Sequence, residues 1–248
     1  MNQTPFGLSP RYGFSRLKEG LKVMRMLWAS SIERPASFKG RFFSLKRAYL
    51  QAEQTVQPPP IYLGALGEKM LKLTGEEADG WIPGCHTPET YRKDLEAIRA
   101  AAHRVGRKLN GFAPAYYTLA SASARREEAD RNVLSLGKYF LALIPEGLRK
   151  VAPSVYHPGH VWEKIAHPMR QREAIRKIAT TIPDMVALDT VVHGTPSDCI
   201  EQIARFEKAG CREMMLTLVS EDNLWSTRSL LPMIRFFSEK VISYFQNR

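Results

Sequence analysis

Short apolar segments alternate with helical segments from residue 61 onward, and this alternation constrains the fold more than any other feature of the chain. Consecutive strands that are separated by a helix do not form a hairpin, and they pair in parallel. The sequence therefore predicts an α/β fold with a parallel sheet. The four segments with strand character are residues 61–65, 81–83, 112–121 and 212–219.

The helices that follow these strands begin at recognisable signals. Thr87-Pro88 and Thr195-Pro196 each place a threonine at an N-cap and a proline at the first helical position. This combination favours helix initiation, because the threonine oxygen accepts a free amide and proline lacks one. The predicted helices are residues 67–77, 88–105, 196–209 and 228–246.

Two further regions lie outside this regular order. Residues 14–28 carry apolar side chains at helical spacing, and residues 35–50 alternate loosely around Gly40, which predicts a helix and a short β-hairpin. After the third strand, residues 125–180 form a basic helical stretch that four prolines interrupt. We interpret this stretch as a helical insertion within a single domain of residues 1–248.

The composition gives no sign of a membrane span, a signal peptide, a disulfide framework or a metal site. The chain has no apolar run of about 18 residues, so no membrane span is expected, and its first residues lack signal-peptide features. Its three cysteines lie far apart and match neither a disulfide framework nor a metal motif. Pro158 and Gly159 break any helix that would align His157 with His160 as a metal pair. We therefore expect a cytoplasmic protein without a bound metal.

The charge is strongly basic and unevenly distributed. The formal net charge is +11, and the basic excess falls in residues 1–55 and 125–180. Such an excess favours anionic partners such as phosphates, polyglutamates, nucleic acid or acidic lipid, and its plainest alternative is a solvated basic surface. No zinc finger, RNA-binding strand motif or recognition helix accompanies the charge, so the sequence does not favour nucleic acid.

The segment between the first predicted strand and its helix has the composition of an anion-binding loop. Gly64 and Gly67 carry no Cβ that would obstruct an approaching group. The amides of Leu66, Gly67 and Glu68 lie at the N-terminus of the following helix, where they have no intrahelical partner and the dipole is positive. These features suit a phosphate, bound through the backbone of Glu68 and not through its side chain. The alternative is a tight turn whose glycines serve packing alone.

Three segments of the chain resemble the motifs of one enzyme superfamily. They are "RLKEGLKVMRMLW" with the following "FKGRFFSL", then "PPPIYLGALGEKMLKLTGEEADGWIP", and finally "VVHGTPSDCIEQIARFEKAGCREMML". Together they resemble the bacterial-luciferase-like flavin and deazaflavin oxidoreductases. The chain is most similar to the coenzyme F420-dependent branch, which includes methylenetetrahydromethanopterin reductases and mycobacterial phthiodiolone ketoreductases.

This resemblance implies a partial (β/α)₈ TIM barrel. The chain would contribute strands 5 to 8 of the barrel, with the helical insertion after strand 7. Met1 matches a position within the motif that ends strand 4 of the family, so strands 1 to 4 are expected to be missing. The family's motif glutamate would lie two positions before Met1, which leaves the catalytic residues of this chain unassigned.

The resemblance also implies a cofactor and the residues that hold it. The loop matches the one that holds the phosphate of coenzyme F420 or of flavin mononucleotide (FMN), and the basic excess fits the glutamyl tail of F420 better than FMN. Asn2 matches a cofactor-contacting asparagine. The implied cofactor-binding residues are Asn2, Gly64, Ala65, Leu66, Gly67 and Glu68.

The implied activity is hydride transfer between the deazaflavin and a small organic substrate. The alternatives are an FMN-dependent monooxygenase of the same fold and a non-catalytic, truncated paralogue or subunit. His86 follows the second predicted strand and is the candidate for contact with substrate or for acid catalysis. The alternative is an exposed loop histidine. Unpaired strand edges would favour self-association, so we expect a homo-oligomer.

Overall fold

A computed structural model describes residues 10–50, 58–156, 168–220 and 227–246 of the chain. The chain divides into two compact units, an N-terminal unit of residues 1–61 and a C-terminal unit of residues 62–248. The prediction of a single domain stays a prediction.

The N-terminal unit contains the predicted helix and hairpin. Helix α1 is Gly13–Trp28, and strands β1 (Ala36–Lys39) and β2 (Ser44–Ala48) pair antiparallel. The carboxylate of Glu19, on α1, accepts hydrogen bonds from the amides of residues 41, 42 and 43 at 3.1, 2.9 and 2.8 Å. This carboxylate therefore ties the hairpin turn to the helix and satisfies three amides that no strand partner could reach.

Among the described residues, the C-terminal unit contains five parallel strands and their helices. The strands are β3 (Tyr62–Leu63), β4 (Gly80–Trp81), β5 (Ala113–Ala122), β6 (Val192–Gly194) and β7 (Glu213–Leu218). The helices are α2 (Glu68–Glu77), α3 (Pro88–Arg104), α4 (Arg126–Leu143), α5 (Pro145–Val151), α6 (Pro168–Thr181), α7 (Asp184–Leu188), α8 (Pro196–Lys208), α9 (Thr227–Phe237) and α10 (Ser243–Gln246). A π-helical turn, Ser238–Ile242, joins the last two.

Strand β5 is the centre of the parallel sheet. Alternate residues of a strand bond to opposite neighbours, and the odd-numbered residues of β5 bond to β4 and β6. The Tyr117 amide donates to the Pro83 carbonyl at 2.9 Å, and the Ser123 amide, just past the strand, donates to the Gly194 carbonyl at 3.1 Å. The even-numbered residues bond to β7. The main order is therefore β3-β4-β5-β7, and β6 lies beside the carboxyl end of β5, on the β4 side.

The strand β6 is a correction to the sequence prediction, which has four strands in this region and none at residues 192–194. Val192–Gly194 pair in register with residues 120–122 of β5, so His193 lies within a strand. A three-residue strand is too short to show any periodicity. Its last residue, Gly194, also begins the Gly-Thr-Pro sequence, which predicts the start of a helix and not the end of a strand.

Aromatic packing between the sheet and the helices α2, α3 and α8 forms the core. Trp81, Tyr91 and Tyr116 are fully buried, and Phe206 stacks on Tyr116 with 4.3 Å between ring centroids. Helices α2 and α3 approach closely at Gly75, where a Cβ would lie 2.3 Å from the Ile98 carbonyl. This contact leaves no room for a side chain, so the glycine fixes the spacing of the helix pair.

The predicted insertion is helical where it is described. Helices α4, α5 and α6 share a second apolar cluster, in which Leu141, Leu148 and Ile175 are buried. None of the described helices is both long enough and apolar enough to cross a bilayer. The described residues also contain no group of three or more metal-binding side chains.

Candidate functional site

The predicted anion-binding loop lies where the carboxyl end of β3 meets the N-terminus of α2. Helix α2 begins at Glu68, and Gly67 is its N-cap, with φ −79° and ψ 154°. Gly64 and Glu68 are exposed, whereas Ala65 is fully buried in the aromatic core. The indole nitrogen of Trp81 donates to the Ala65 carbonyl at 2.9 Å and holds the loop in place. The loop is thus anchored at its centre and open on both sides.

The two glycines of the loop are not required by the fold around them. Neither has the positive φ that favours glycine. A Cβ on Gly64 would meet the Ile82 carbonyl at 3.4 Å, which is ordinary contact, and a Cβ on Gly67 would meet only the Glu146 carboxylate, at 3.7 Å. Packing within the described structure therefore does not explain why these positions lack side chains.

The amides at this helix end are available to an acceptor. Within the described part of the chain, the amides of Gly67 and Glu68 have no hydrogen-bond acceptor, and no side chain caps the helix. The Glu146 carboxylate of α5 lies close to Gly67 and pairs with Arg149. That carboxylate raises the pKa of Arg149, which keeps the guanidinium charged. An anion in the loop would therefore meet free amides, the positive end of a helix dipole and a neutralised carboxylate.

His86 belongs to a buried charged network and not to an exposed loop. Its side chain is fully buried, which contradicts the prediction of solvent exposure. The ring Nδ1 lies 2.9 Å from the Gly84 carbonyl oxygen, and Nε2 lies 2.9 Å from Oδ2 of Asp94. Asp94 also accepts from the Lys150 ammonium, which lies 2.8 Å from Oδ1 and 2.7 Å from Oδ2. Both ring nitrogens therefore have protein partners in this structure.

The network joins three elements at the carboxyl end of β4. His86 follows β4, Asp94 is on α3 and Lys150 is on α5. The Tyr116 hydroxyl adds a further link, because its oxygen lies 2.8 and 2.9 Å from the carbonyl oxygens of His86 and Thr190, which share its single proton, and it accepts from the His86 amide at 3.1 Å. The network therefore docks the insertion helix α5 onto the strand ends beside the loop.

The pKa of Asp94 gives a test of this network. Burial alone would raise that pKa, but the hydrogen bonds from His86 and Lys150 outweigh it, so the pKa of Asp94 is lowered. A carboxyl group with a lowered folded pKa stabilises the protein above its unfolded pKa, about 3.9, and loses that contribution as the pH falls through the folded value. We expect the stability difference between the wild type and Asp94→Asn to be full at pH 6 and to shrink below about pH 4. Urea unfolding at a series of pH values measures it, and a difference that stays constant down to pH 3 would contradict the assignment.

Cys85 adjoins the network but is not a reactive thiol. Its side chain is buried, and burial raises the pKa of the thiol to about 12. Its backbone has φ 59°, an uncommon value for a residue other than glycine. Gly147 of α5 lies against it, and a Cβ there would come within 2.5 Å of the Cys85 Cβ. The strained turn thus brings α5 and the end of β4 into direct contact.

Two polar features were missed by sequence reasoning. Tyr117 on β5 and Thr217 on β7 are half-buried and share a hydrogen bond of 3.0 Å on the sheet face opposite to Tyr116. Successive side chains of a strand point to opposite faces of the sheet. The adjacent positions of Tyr116 and Tyr117 in the third predicted strand were therefore the signal that the two tyrosines lie on opposite faces. His193 is buried, and its Nδ1 bonds to the Asp130 carboxylate beside a cavity of about 260 Å³. No sequence spacing links His193 to α4, so only the tertiary structure reveals this pair.

The remaining predicted site residues are outside the described residues. Asn2, the second implied cofactor contact, is one of them. His157 and His160 also fall there. Of the residues predicted to bind cofactor, the structure therefore describes those of the loop alone.

The chain is similar to curated proteins over most of its own length. Among curated proteins, the chain is 28% identical over 219 residues to the phthiodiolone/phenolphthiodiolone dimycocerosates ketoreductase of Mycobacterium tuberculosis, covering 86% of this chain and 57% of the relative. It is 24% identical over 216 residues to the 5,10-methylenetetrahydromethanopterin reductase of Archaeoglobus fulgidus, covering 84% of this chain and 61% of that protein. The chain therefore spans less than two thirds of the length of these relatives.

Solved structures share the fold at lower identity. An F420-dependent secondary alcohol dehydrogenase in complex with an F420-acetone adduct matches with a TM-score of 0.72 and 22% identity, over 94% of this chain and 62% of that one. A riboflavin lyase with modified FMN and riboflavin matches with a TM-score of 0.63 and 16% identity, over 99% of this chain and 60% of that one. These matches confirm the predicted partial (β/α)₈ barrel, whose sheet does not close among the described residues.

The family assignment follows from a match along most of the chain. The model of the family described as luciferase-like monooxygenase matches residues 1–213. That range includes the loop at 64–68, the buried network and the helices of the insertion. The protein belongs to the luciferase-like monooxygenase family.

Proposed function

We propose that this chain is the cofactor-holding part of a coenzyme F420-dependent oxidoreductase. One observation carries the proposal. The loop at residues 64–68 offers the free amides of Gly67 and Glu68 beside two glycines that the surrounding fold does not require. A phosphate group fits this arrangement by charge and by space. When bound, the deazaflavin would supply the reactive carbon that carries the hydride.

The residues of this chain have binding and positioning roles in the proposal. Gly67 and Glu68 hold the phosphate through their amides, and Trp81 fixes the loop from behind through the Ala65 carbonyl. The network of His86, Asp94 and Lys150 holds α5 beside the loop. We propose none of these side chains as catalytic, because both nitrogens of His86 and both oxygens of Asp94 already have partners. The substrate is proposed only as a small organic molecule.

Two alternatives differ in measurable ways. An FMN-dependent monooxygenase would use the same loop, because FMN also carries a phosphate, and a riboflavin lyase with modified FMN shares this fold. A non-catalytic paralogue or subunit would bind neither cofactor. The basic excess of the chain favours F420, because its glutamyl tail adds negative charges that FMN lacks.

Anaerobic titration of the 248-residue chain with F420 and with FMN, followed by absorption, tests the proposal. We expect binding of F420 at micromolar concentrations and binding of FMN at least tenfold weaker. The physical reason is that both ligands use the loop while only one has a polyanionic tail. Addition of inorganic phosphate should compete with both ligands, because it occupies the shared subsite.

The same titration separates the alternatives. Stronger binding of FMN than of F420 would favour the monooxygenase. Absence of binding for both ligands, with the chain shown to be folded by circular dichroism, would favour the non-catalytic protein. Size-exclusion chromatography of the same sample tests the proposed homo-oligomer.

A further inference from the structure

A small cavity lies between helices α3, α4, α7 and α8, and none of the residues that line it belongs to the phosphate loop or to the network of His86, Asp94 and Lys150. Its volume is about 260 Å³. At about 30 Å³ for each molecule of liquid water, this space holds a ligand of about eight non-hydrogen atoms. The cavity is therefore a separate site, and it suits a molecule smaller than a drug-sized ligand.

His193, on strand β6, is held against this cavity by its backbone and by its ring. Its amide donates to Oε1 of Gln202 and its carbonyl accepts from Nε2 of Gln202, both at 2.9 Å. Its ring Nδ1 lies within hydrogen-bond distance of Oδ1 of Asp130, on α4. The residue is only 5% exposed. The fold therefore fixes the orientation of the imidazole ring.

The second ring nitrogen of His193 is available to a ligand. A carboxylate only accepts hydrogen bonds, so in the neutral ring the proton is on Nδ1 and Nε2 is an acceptor. Nε2 has no hydrogen-bond partner among the described residues, yet it is not fully enclosed by protein atoms, so the cavity that His193 lines gives access to it. A buried acceptor of this kind is satisfied by water or by a ligand that donates to it.

The charged residues of the cavity leave one carboxylate unpaired. Arg126 pairs with Asp198 at 3.1 Å, and Arg205 pairs with Glu89 at 3.4 Å. Asp189 also lines the cavity, and the described part of the chain gives its carboxylate no partner. The imidazole nitrogen and this carboxylate are thus two unpaired groups that both accept hydrogen bonds, and one of them is negative.

We propose that this cavity binds a small primary ammonium ion with a hydrocarbon body. An ammonium group has three N–H donors and no acceptor, which matches a site whose unpaired groups are acceptors. Asp130, Asp189 and the two carboxylates paired with the arginines make four acids against two arginines, in a chain of net charge +11. The remaining wall suits a hydrocarbon, because it consists of Pro88, Met185, Leu188, Val191 and Phe206.

Two other kinds of ligand match the cavity less well. An anion would meet an unpaired carboxylate and a nitrogen that accepts. A divalent metal ion also binds imidazole and carboxylate, but metal sites use at least three protein side chains. The described residues contain no group of three or more metal-binding side chains. The ammonium ion is therefore the ligand that the donors, acceptors and charges favour.

Pentylammonium is the probe, and chemical-shift titration of the ¹⁵N-labelled 248-residue chain at pH 8 measures its binding. An alkyl ammonium group is charged at this pH, as that of lysine is. The compounds 1-pentanol and pentanoate have the same carbon chain length with a neutral and a negative head group. We expect pentylammonium to bind at least tenfold more tightly than either of them.

Two variants test the two acceptors separately. Asp189→Asn removes the unpaired charge at an exposed residue and is expected to weaken binding at least fivefold. Its matched control is Glu201→Gln, which removes the same charge at an exposed residue of α8 outside the cavity wall and should weaken binding less than twofold. In His193→Asn the amide can still donate to Asp130, but no group replaces Nε2, so binding should weaken at least tenfold.

The ¹⁵N resonance of Nε2 in His193 provides a readout that a purely structural role would not change. It is expected to shift when pentylammonium is added, whereas the ring resonances of His86, whose two nitrogens have protein partners, stay unchanged. Equal affinity for the three pentyl compounds would overturn the proposal, and so would equal loss in Asp189→Asn and Glu201→Gln or an unmoved Nε2 resonance. Binding of Zn²⁺ that is tighter than that of pentylammonium, and lost in the same variants, would overturn it in favour of a metal site.

The outcome is independent of folding defects and of the proposed cofactor. Should His193→Asn fail to fold, Asp189→Asn still decides, because the described structure gives Asp189 no side-chain partner whose loss would destabilise the protein. The titrations contain neither F420 nor FMN. Failure of the amine site would therefore leave the phosphate loop unaffected, and failure of cofactor binding would leave the amine site unaffected.

Discussion

Replacement of Asp94 by alanine is expected to destabilise the protein by about 3–5 kcal/mol, the range found when one partner of a buried ion pair is removed. Asp94 is almost fully buried and accepts from two donors, His86 at 2.9 Å and Lys150 at 2.7 and 2.8 Å. Alanine would leave the ammonium of Lys150 without a counter-charge at a site with little water. It would also leave Nε2 of His86 without its partner.

Urea unfolding of the variant, followed by circular dichroism, measures the loss. Asp94→Asn serves as the matched control, because it keeps the shape and one acceptor oxygen while it removes the charge, and it should cost less than alanine. The double variant Asp94→Ala/Lys150→Met should recover part of the loss, since it removes the unpaired cation along with its partner. A single Asp94→Ala variant within 1 kcal/mol of the wild type would show that the network does not hold α5 against α3.

The sheet was predictable where hydrophobic pattern and helix signals agree. The capping threonines at 87 and 195 begin α3 and α8 as expected, each with a proline directly after it. Strand β5 is long enough for its apolar pattern to be seen. Strand β6 was not predictable, because its three residues form a strand by pairing with β5, and their own composition does not indicate one. Tertiary hydrogen bonds, which local sequence does not encode, decide such short strands.

The candidate site was predictable in its loop and not in its buried partners. Glycines before a helix start are a local pattern, and the structure places Gly67 at the N-cap of α2. The position of His86 depends on Asp94, eight residues later, and on Lys150, which is remote in sequence. Nothing in the loop sequence distinguishes a buried histidine from an exposed one. The His86 ring packs edge-on against Trp81, Tyr91 and Tyr116, and no motif reports those contacts.

Replacement of Gly67 by aspartate is expected to separate folding from binding at the phosphate loop. The backbone of Gly67 already has N-cap geometry, and its Cβ position is 3.7 Å from the nearest atom. Aspartate is a preferred N-cap residue, so the free energy of unfolding should change by less than about 1 kcal/mol. The same carboxylate would accept from the amides of Lys69 or Met70, at the N2 and N3 positions. Its negative charge would lie directly beside the amides of Gly67 and Glu68 and would repel the phosphate. At about 4 Å and an effective dielectric constant of 20, one pair of like charges costs about 4 kcal/mol. We therefore expect the affinity for F420 to fall at least 100-fold.

The matched control is Gly67→Asn. Asparagine has nearly the same size as aspartate and also caps helices, but it carries no charge. Absorption titration with F420 should rank the affinities as wild type, then asparagine, then aspartate, with the larger step at the charged residue. Urea unfolding of the three proteins should show nearly equal stabilities, because neither side chain disturbs the anchor between Trp81 and Ala65. Equal affinity for F420 in all three proteins would mean that the phosphate binds elsewhere. In that case the glycines of this loop would need a different explanation, since neither backbone conformation nor packing requires them.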